Sequence, residues 1–133
     1  MLKLVQYAPG QFDLAFDNPA ERDNRAKAAT IVYAAIFTDA EAPPARVENP
    51  HDRRGYWAEP QAGSGCWHIR RQPFSRNARL EAISEVKRVL ARHAPALTDF
   101  TVSENTKDFR PSAITLDISA KYGNENIILQ VSL

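Results

Sequence analysis

The sequence predicts an α+β fold in a single domain spanning residues 1–133, with two main helices packed on a C-terminal three-stranded antiparallel sheet. Three observations lead to this prediction. The length suits one modest core. Two segments show helical periodicity, and the last third of the chain changes from a period of 3.6 to a period of 2. An N-terminal hairpin and a long ordered central loop complete the predicted architecture.

The N-terminal hairpin is predicted from two alternating segments, residues 2–7 and 11–16, which Ala8, Pro9 and Gly10 separate. A helix start follows. Asn18 before Pro19 is a good cap, and Asp23 is an equally good one, so the sequence leaves two alternatives for the first helical residue.

The first helix is predicted over residues 25–38, which are apolar on most of their circumference, as in a helix covered on more than one side. Residues 39–65 then contain four prolines and three glycines, a spacing that prevents a regular helix and disfavours a central strand. We interpret this segment as a long ordered or functional loop.

The second helix is predicted over residues 76–93, with Ser75 as its N-cap. Its apolar side chains recur on one arc, which we expect to face the core: Leu80, Ile83, Val86, Leu90 and Ala94. The opposite arc is charged: Glu81, Glu85, Arg88 and Arg92.

Three strands are predicted after the second helix. The first contains Phe100 and Val102, the second alternates over residues 114–121, and the third alternates over residues 127–133. The turn segment at residues 122–126 joins the last two strands as a hairpin. An antiparallel meander packed on the second helix is the simplest arrangement of these elements.

Composition excludes several classes of function. Lys and Arg number 17 against 16 Asp and Glu, so no net field favours nucleic acid or an anionic membrane. Cys66 is the only cysteine, and three scattered histidines lack metal-ligand spacing, so we expect neither a disulfide nor a metal or other cofactor. No segment has the length of a membrane span or the pattern of a signal peptide, and a reducing compartment fits best.

The segment HDRRGYW, residues 51–57, is the main candidate site. One interpretation is a glycosidase, because Glu48, Asp52 and Glu59 flank aromatic side chains that could stack on a sugar. Carboxylates are common in this chain, however, and solvated or arginine-paired carboxylates are the favoured interpretation. Cys66 beside His68 and Ser64 between two glycines do not form a nucleophilic pair or elbow.

A second interpretation is nucleic-acid binding, because arginines are interleaved with Tyr56, Trp57 and Trp67. The arginines of this region are Arg53, Arg54, Arg70, Arg71, Arg76 and Arg79. Acidic residues among them favour ion pairs or a protein partner instead, so we expect no nucleic-acid partner.

The favoured interpretation gives the segment a packing or interface role. Gly55 permits a backbone conformation closed to other residues, and Trp57 and Trp67 supply apolar area that anchors a loop. Arg53 and Arg54 offer planar forks for carboxylates or carbonyl groups. Trp, Tyr and Arg are also frequent interface hot spots, so Tyr56 joins the candidate site.

Three segments taken in order carry a resemblance to a known family: AATIVYAAIFTDAEAPP, then DRRGYWAEP, then GSGCWHIRR, before an amphipathic helix and a meander. Over residues 24–133 the chain resembles the Mu-like prophage tail protein family known as gene product forty-six. That family typically shows Phe-Thr-Asp, then Asp-Arg-Arg-Gly-Trp-Trp-Gly-Asp, then Gly-Ser-x-x-Trp. This chain departs from the pattern at Tyr56, Ala58 and Glu59, and around Trp67 at Cys66, His68 and Ile69.

The family is similar to the baseplate wedge protein of T4-type phages called gene product twenty-five. The resemblance implies a small α+β structural protein of a contractile tail baseplate, present in the virion tail and in the bacterial cytoplasm during assembly. It implies contacts with other baseplate and tail proteins and a position near the start of the sheath. Some members of the family are regarded as lysozyme-like, so the alternative function is a peptidoglycan-hydrolysing enzyme. A nucleic-acid-binding module is a third, less favoured alternative.

Overall fold

The structure is a computed structural model that describes residues 2–9, 11–16, 24–93 and 96–133. Its strands are β1 (Leu2–Ala8), β2 (Gln11–Phe16), β3 (Leu97–Glu104), β4 (Thr115–Tyr122) and β5 (Glu125–Ser132), and its helices are α1 (Asn24–Phe37), α2 (Cys66–Ile69) and α3 (Arg76–Ala91). Short 3₁₀ turns occupy Pro44–Arg46 and Thr106–Asp108. The predicted α+β class is confirmed.

The C-terminal sheet is an antiparallel meander in the order β3-β4-β5, as the alternation of residues predicted. In β5 the side chains of Ile127, Leu129 and Val131 are buried, because every second residue faces the core. Tyr122 pairs with Glu125 across a two-residue turn, in which Gly123 has a φ of 61°. That positive φ is the conformation that tight hairpin turns require.

Helix α1 packs against β1, α3 and the sheet, which explains why it is apolar on most sides. Its most deeply buried side chains are Ala28, Val32 and Ile36. The two caps that the sequence offered for its start, Asn18 and Asp23, lie outside the described residues.

The predicted N-terminal hairpin forms from β1 and β2 and lies beside α1 and β5. The Phe12 ring lies 4.4 Å from the Phe37 ring, centroid to centroid. The Gln6 amide binds the outer edge of β5 through both of its groups. Its Nε2 donates to the Ser132 carbonyl at 3.0 Å, and its Oε1 accepts from the Ser132 amide at 3.4 Å. A side chain thus takes the place of a strand at this edge.

Helix α3 begins as predicted, because the Ser75 side chain accepts a hydrogen bond from the Ala78 amide at 3.2 Å. The predicted apolar arc was wrong at Leu80, which is 55% exposed, and Ile83 is only half-buried. Ala94 lies outside the described part of the chain. The buried row of α3 consists of Ala78, Arg79, Ala82, Val86, Val89 and Leu90.

The buried face of α3 differs from the predicted face because two charged side chains, Arg79 and Glu85, bind partners inside the fold. The Arg79 guanidinium binds the Glu104 carboxylate and the Arg110 carbonyl, so a cation takes a position in the buried row. Glu85, predicted to face solvent, accepts a hydrogen bond from the Gly65 amide at 2.8 Å. Sequence periodicity could not reveal either partner.

Candidate functional site

The central loop is closed at its base by backbone hydrogen bonds. The Ser64 amide donates to the Thr38 carbonyl at 2.8 Å, and the Ala40 amide donates to the Ser64 carbonyl at 2.9 Å. These bonds form a short parallel bridge between Asp39 and Ser64. The Trp67 indole Nε1 donates to the Ala40 carbonyl at 2.7 Å, which anchors the same segment to α2. The loop is therefore ordered, as the sequence predicted.

The Arg53 side chain extends across the loop and binds two of its first residues, Glu41 and Ala42. Its Nε donates to the Ala42 carbonyl at 2.8 Å, and its Nη1 lies 2.7 Å from the Glu41 Oε1. In return, the Ala42 amide donates to the Arg53 carbonyl at 2.9 Å. The two sides of the loop are thus joined by both backbone and side-chain bonds.

Arg54 and Gly55 both have left-handed backbone conformations, with φ values of 55° and 91°. A Cβ at Gly55 would lie 3.0 Å from the Glu41 Cβ, so glycine suits both the conformation and the space. The Arg54 Nη1 lies 2.5 Å from the Asp39 Oδ2. Its guanidinium carbon lies 4.5 Å from the centre of the buried Trp67 ring, within the range of a cation–π contact.

Tyr56 and Trp57 project from this fixed base. The Glu59 amide donates to the Tyr56 carbonyl at 3.0 Å, so Trp57 and Ala58 occupy the centre of a tight turn. The Trp57 side chain is 86% exposed, Tyr56 is about half-exposed, and their ring centres are 5.6 Å apart. We call Tyr56–Glu59 the aromatic turn.

The six residues of the candidate site therefore separate into two groups. The structure brings Arg53, Arg54, Gly55 and Trp67 together within the fold and leaves Tyr56 and Trp57 at the surface. Sequence analysis missed the acceptors of the two arginines, Glu41 and Asp39. The spacing of Asp39 and Glu41 was a signal for this role. The two residues begin the loop and are separated by one residue, and alternate residues of an extended segment face the same side.

The carboxylates that the glycosidase interpretation needs are all exposed: Glu48, Asp52 and Glu59. None of them belongs to an ion pair formed within the described residues. A general acid in this reaction needs an environment that raises its pKa, such as burial. These three side chains instead lie in water.

The residues considered as nucleophiles have structural roles. Burial raises the pKa of the Cys66 thiol to about 11, which keeps it protonated and unreactive near neutral pH. The Ser64 hydroxyl is buried and donates to the Ile36 carbonyl, at the base of the loop. Among the described residues, no group of three or more His, Cys, Asp or Glu could hold a metal ion.

The arginines considered for nucleic-acid binding are largely engaged within the chain. Besides Arg53 and Arg54, Arg79 pairs with Glu104, and the Arg71 guanidinium carbon lies 4.9 Å from the centre of the Trp67 ring. Arg70, Arg71 and Arg76 are exposed and belong to no ion pair within the described residues. Three cations without a carboxylate partner make a weaker phosphate-binding surface than the six that the sequence suggested.

His68 is buried next to this site, and its Nδ1 has no hydrogen-bond partner within the described residues. Burial lowers the pKa of His68, and the Arg46 charge lowers it further, against smaller opposing effects of Glu81 and Glu85. The folded state therefore disfavours the protonated imidazole, so the unfolded state binds more protons as the pH falls below about 6.5. We expect the free energy of unfolding to decrease over that range.

Denaturant unfolding at pH 7.5 and at pH 5.5 measures this effect. His68→Gln should reduce the difference in the free energy of unfolding between the two pH values, whereas His51→Gln, at an exposed loop position, should preserve it. Burial acts to raise the pKa of the Glu85 carboxyl, but hydrogen bonds from Arg88 and the Gly65 amide outweigh it and lower the pKa. Its contribution is lost only at lower pH, as the pH falls through the folded-state pKa. An equal pH dependence in His68→Gln and the parent protein would contradict the assignment.

Comparison with models of protein families gives no match, and comparison with curated proteins gives none either. No helix in the described ranges has the length and hydropathy needed to cross a membrane.

Proposed function

We propose that this protein is a non-enzymatic structural component of a contractile phage or prophage tail baseplate, where it contacts other wedge proteins and the sheath. The observation that carries the proposal is the aromatic turn, which presents Trp57 at 86% exposure on a loop that backbone hydrogen bonds and two ion pairs join at its base. A rigid base with a projecting aromatic side chain is typical of a protein interface.

Bonds within the loop reduce the entropic cost of binding. The Ala42 amide donates to the Arg53 carbonyl and the Glu59 amide to the Tyr56 carbonyl, and the partly exposed ion pairs of Arg53 and Arg54 add to these bonds, so less of the loop backbone has to be ordered on association. Where a tryptophan or tyrosine is an interface hot spot, its truncation costs about 2 kcal/mol or more of binding free energy. The proposal thus divides the DRRGYW segment into a supporting part, Arg53 to Gly55, and a contacting part, Tyr56 and Trp57.

The same geometry favours assembly over hydrolysis. The side chains that could act as nucleophiles, Ser64 and Cys66, are buried, and the three carboxylates near the aromatic turn lie in water. The resemblance to the tail protein family supplies the kind of assembly. The resemblance rests on the order of three motifs, and the aromatic turn belongs to the central one.

The test is deletion of the gene in a lysogen that carries it, followed by complementation and electron microscopy of the released tails. We expect no complete tails without the gene, and we expect mass spectrometry to find the protein in baseplates of the complemented strain. Trp57→Ser should lower the yield of tails although its thermal unfolding matches that of the parent. Lys87→Ser, an exposed change on α3, is the matched control.

Absence of the protein from purified tails would refute the proposal. Turnover of peptidoglycan by the purified protein, lost in Glu48→Gln or Glu59→Gln, would establish the hydrolase instead. Binding of DNA or RNA with a steep dependence on salt would establish the nucleic-acid module.

A further inference from the structure

An apolar groove opens between the N-terminal half of α3 and the segment that follows β3. Its volume is about 420 Å³, and two of its apolar side chains are more than half exposed, Leu80 at 55% and Phe109 at 59%. Its remaining apolar lining is Phe74 and Ile83. Exposed apolar side chains that line one concave surface are typical of a site that binds another molecule.

The charged side chains that line the groove are two arginines and one glutamate: Arg76, Arg79 and Glu104. Arg79 lies between aromatic rings at its base, 4.6 Å from the centre of Phe109 and 5.6 Å from that of Phe74, but Glu104 neutralises its charge. Arg76 lines the groove and is exposed, and Lys107 is exposed in the 3₁₀ turn before Phe109. Neither Arg76 nor Lys107 belongs to an ion pair with any residue that the structure describes.

The aromatic turn has the opposite character. Trp57 projects from it, and Asp52 and Glu59 are exposed beside it in the sequence. These carboxylates remain unpaired in the described part of the chain because Arg53 and Arg54 bind Glu41 and Asp39 instead. One surface is thus an apolar projection with acidic neighbours, and the other is an apolar groove with basic neighbours.

We propose that two copies of this chain associate by insertion of Trp57 of one copy into the α3 groove of the other. The groove has room for an indole ring, its apolar lining matches the apolar ring, and the charges beside the two surfaces are opposite in sign. The two surfaces share no residue, so each copy carries one projection and one groove. Such a contact joins copies in a reciprocal pair, in a closed ring or in an open filament, according to the rotation between neighbouring copies.

This inference uses the same aromatic turn as the proposed function but does not depend on the baseplate role, because two copies can associate through these surfaces in any setting. Sedimentation analysis of the purified full chain over a wide range of concentration tests it. We expect the parent protein to associate as its concentration rises, with tryptophan emission that shifts to the blue as Trp57 leaves water. Trp57→Ser and Leu80→Glu should each weaken association at least tenfold.

The sharpest experiment mixes two defective variants. Trp57→Ser retains the groove, and Leu80→Glu retains the projection, so an equimolar mixture contains one competent pair of surfaces and should form a 1:1 complex. Arg76→Glu should weaken association, because it reverses a charge beside the groove. Ile128→Ser, an exposed apolar position on β5, is the control and should associate like the parent.

Variants must unfold at the temperature of the parent, and Leu80→Ser replaces Leu80→Glu if the charge disturbs the fold. A parent protein that stays monomeric up to about 1 mM, a concentration at which even contacts of about 4 kcal/mol are half-formed, would overturn the inference. Association that persists in Trp57→Ser would also overturn it, because another surface would then be responsible. Baseplates that incorporate a strictly monomeric protein would leave the proposed function standing and refute only this contact.

Discussion

Gly63→Ala is expected to destabilise the fold by about 3 kcal/mol or more. Gly63 has a φ of 87°, and a left-handed conformation costs a residue with a side chain about 1–3 kcal/mol. An added Cβ would also lie 2.6 Å from the Thr38 carbonyl carbon and 2.8 Å from the Thr38 Cβ, both too close for a real contact. Relief of that clash would separate Thr38 from Ser64 and break the bridge at the base of the loop, at a further cost of about 1 kcal/mol per hydrogen bond.

Gly123→Ala is the matched control. Gly123 also has a positive φ, of 61°, but a Cβ there would meet nothing within 4 Å. This variant therefore carries the conformational cost without the clash, and we expect a loss of about 1 kcal/mol. Thermal and denaturant unfolding of both variants separate the two effects. Equal losses would show that the approach of Thr38 to Gly63 is unimportant.

Arg79→Met is expected to lower the free energy of unfolding by about 2–4 kcal/mol. The side-chain exposures of Arg79 and Glu104 are 8% and 20%, and removal of one partner leaves the other charge in a poorly solvated site. The change also removes the donor to the carbonyls of Arg110 and Ala113. Arg46→Met breaks a pair with Glu81 that is 32% and 37% exposed, so we expect it to cost less than about 1 kcal/mol.

A double-mutant cycle completes this test. Arg79→Met together with Glu104→Met removes both charges, so the double variant should lose much less stability than the sum of the two single variants. Additive losses would indicate that the pair itself contributes nothing and that the carbonyl contacts of Arg79 stabilise the fold. Denaturant midpoints with unchanged slopes are the required measurement.

Most of the fold was predictable because its elements rest on local patterns. The hairpin of β1 and β2, helix α1, the Ser75 cap and the meander all follow from periodicity and turn residues close together in the sequence. The face of α3 was predicted only in part. Its buried face depends on two contacts between residues distant in the sequence, the ion pair of Arg79 with Glu104 and the hydrogen bond from Gly65 to Glu85. Such contacts leave no local pattern in the sequence.

The candidate site shows the same division. Its residue types indicated anchoring and interface roles, but the sequence pointed to Glu48, Asp52 and Glu59 as partners of the arginines. The structure uses Asp39 and Glu41 because the bridge at Ser64 brings the start of the loop beside its middle. That choice of acceptors leaves the acidic residues beside Trp57 unpaired within the described chain.

The hydrogen bond between the Gln6 side chain and the edge of β5 means that two adjacent amide hydrogens exchange with solvent through different local openings of the protein. The Ser132 amide is held by Gln6, and the Leu133 amide donates to the Ile114 carbonyl across the sheet at 2.9 Å. Release of the hairpin alone exposes the first to exchange with solvent deuterium, whereas the second exchanges when the end of β5 separates from β4. Exchange that is faster at Ser132 than at Leu133 would therefore show that the N-terminal hairpin leaves a sheet whose edge strand stays paired.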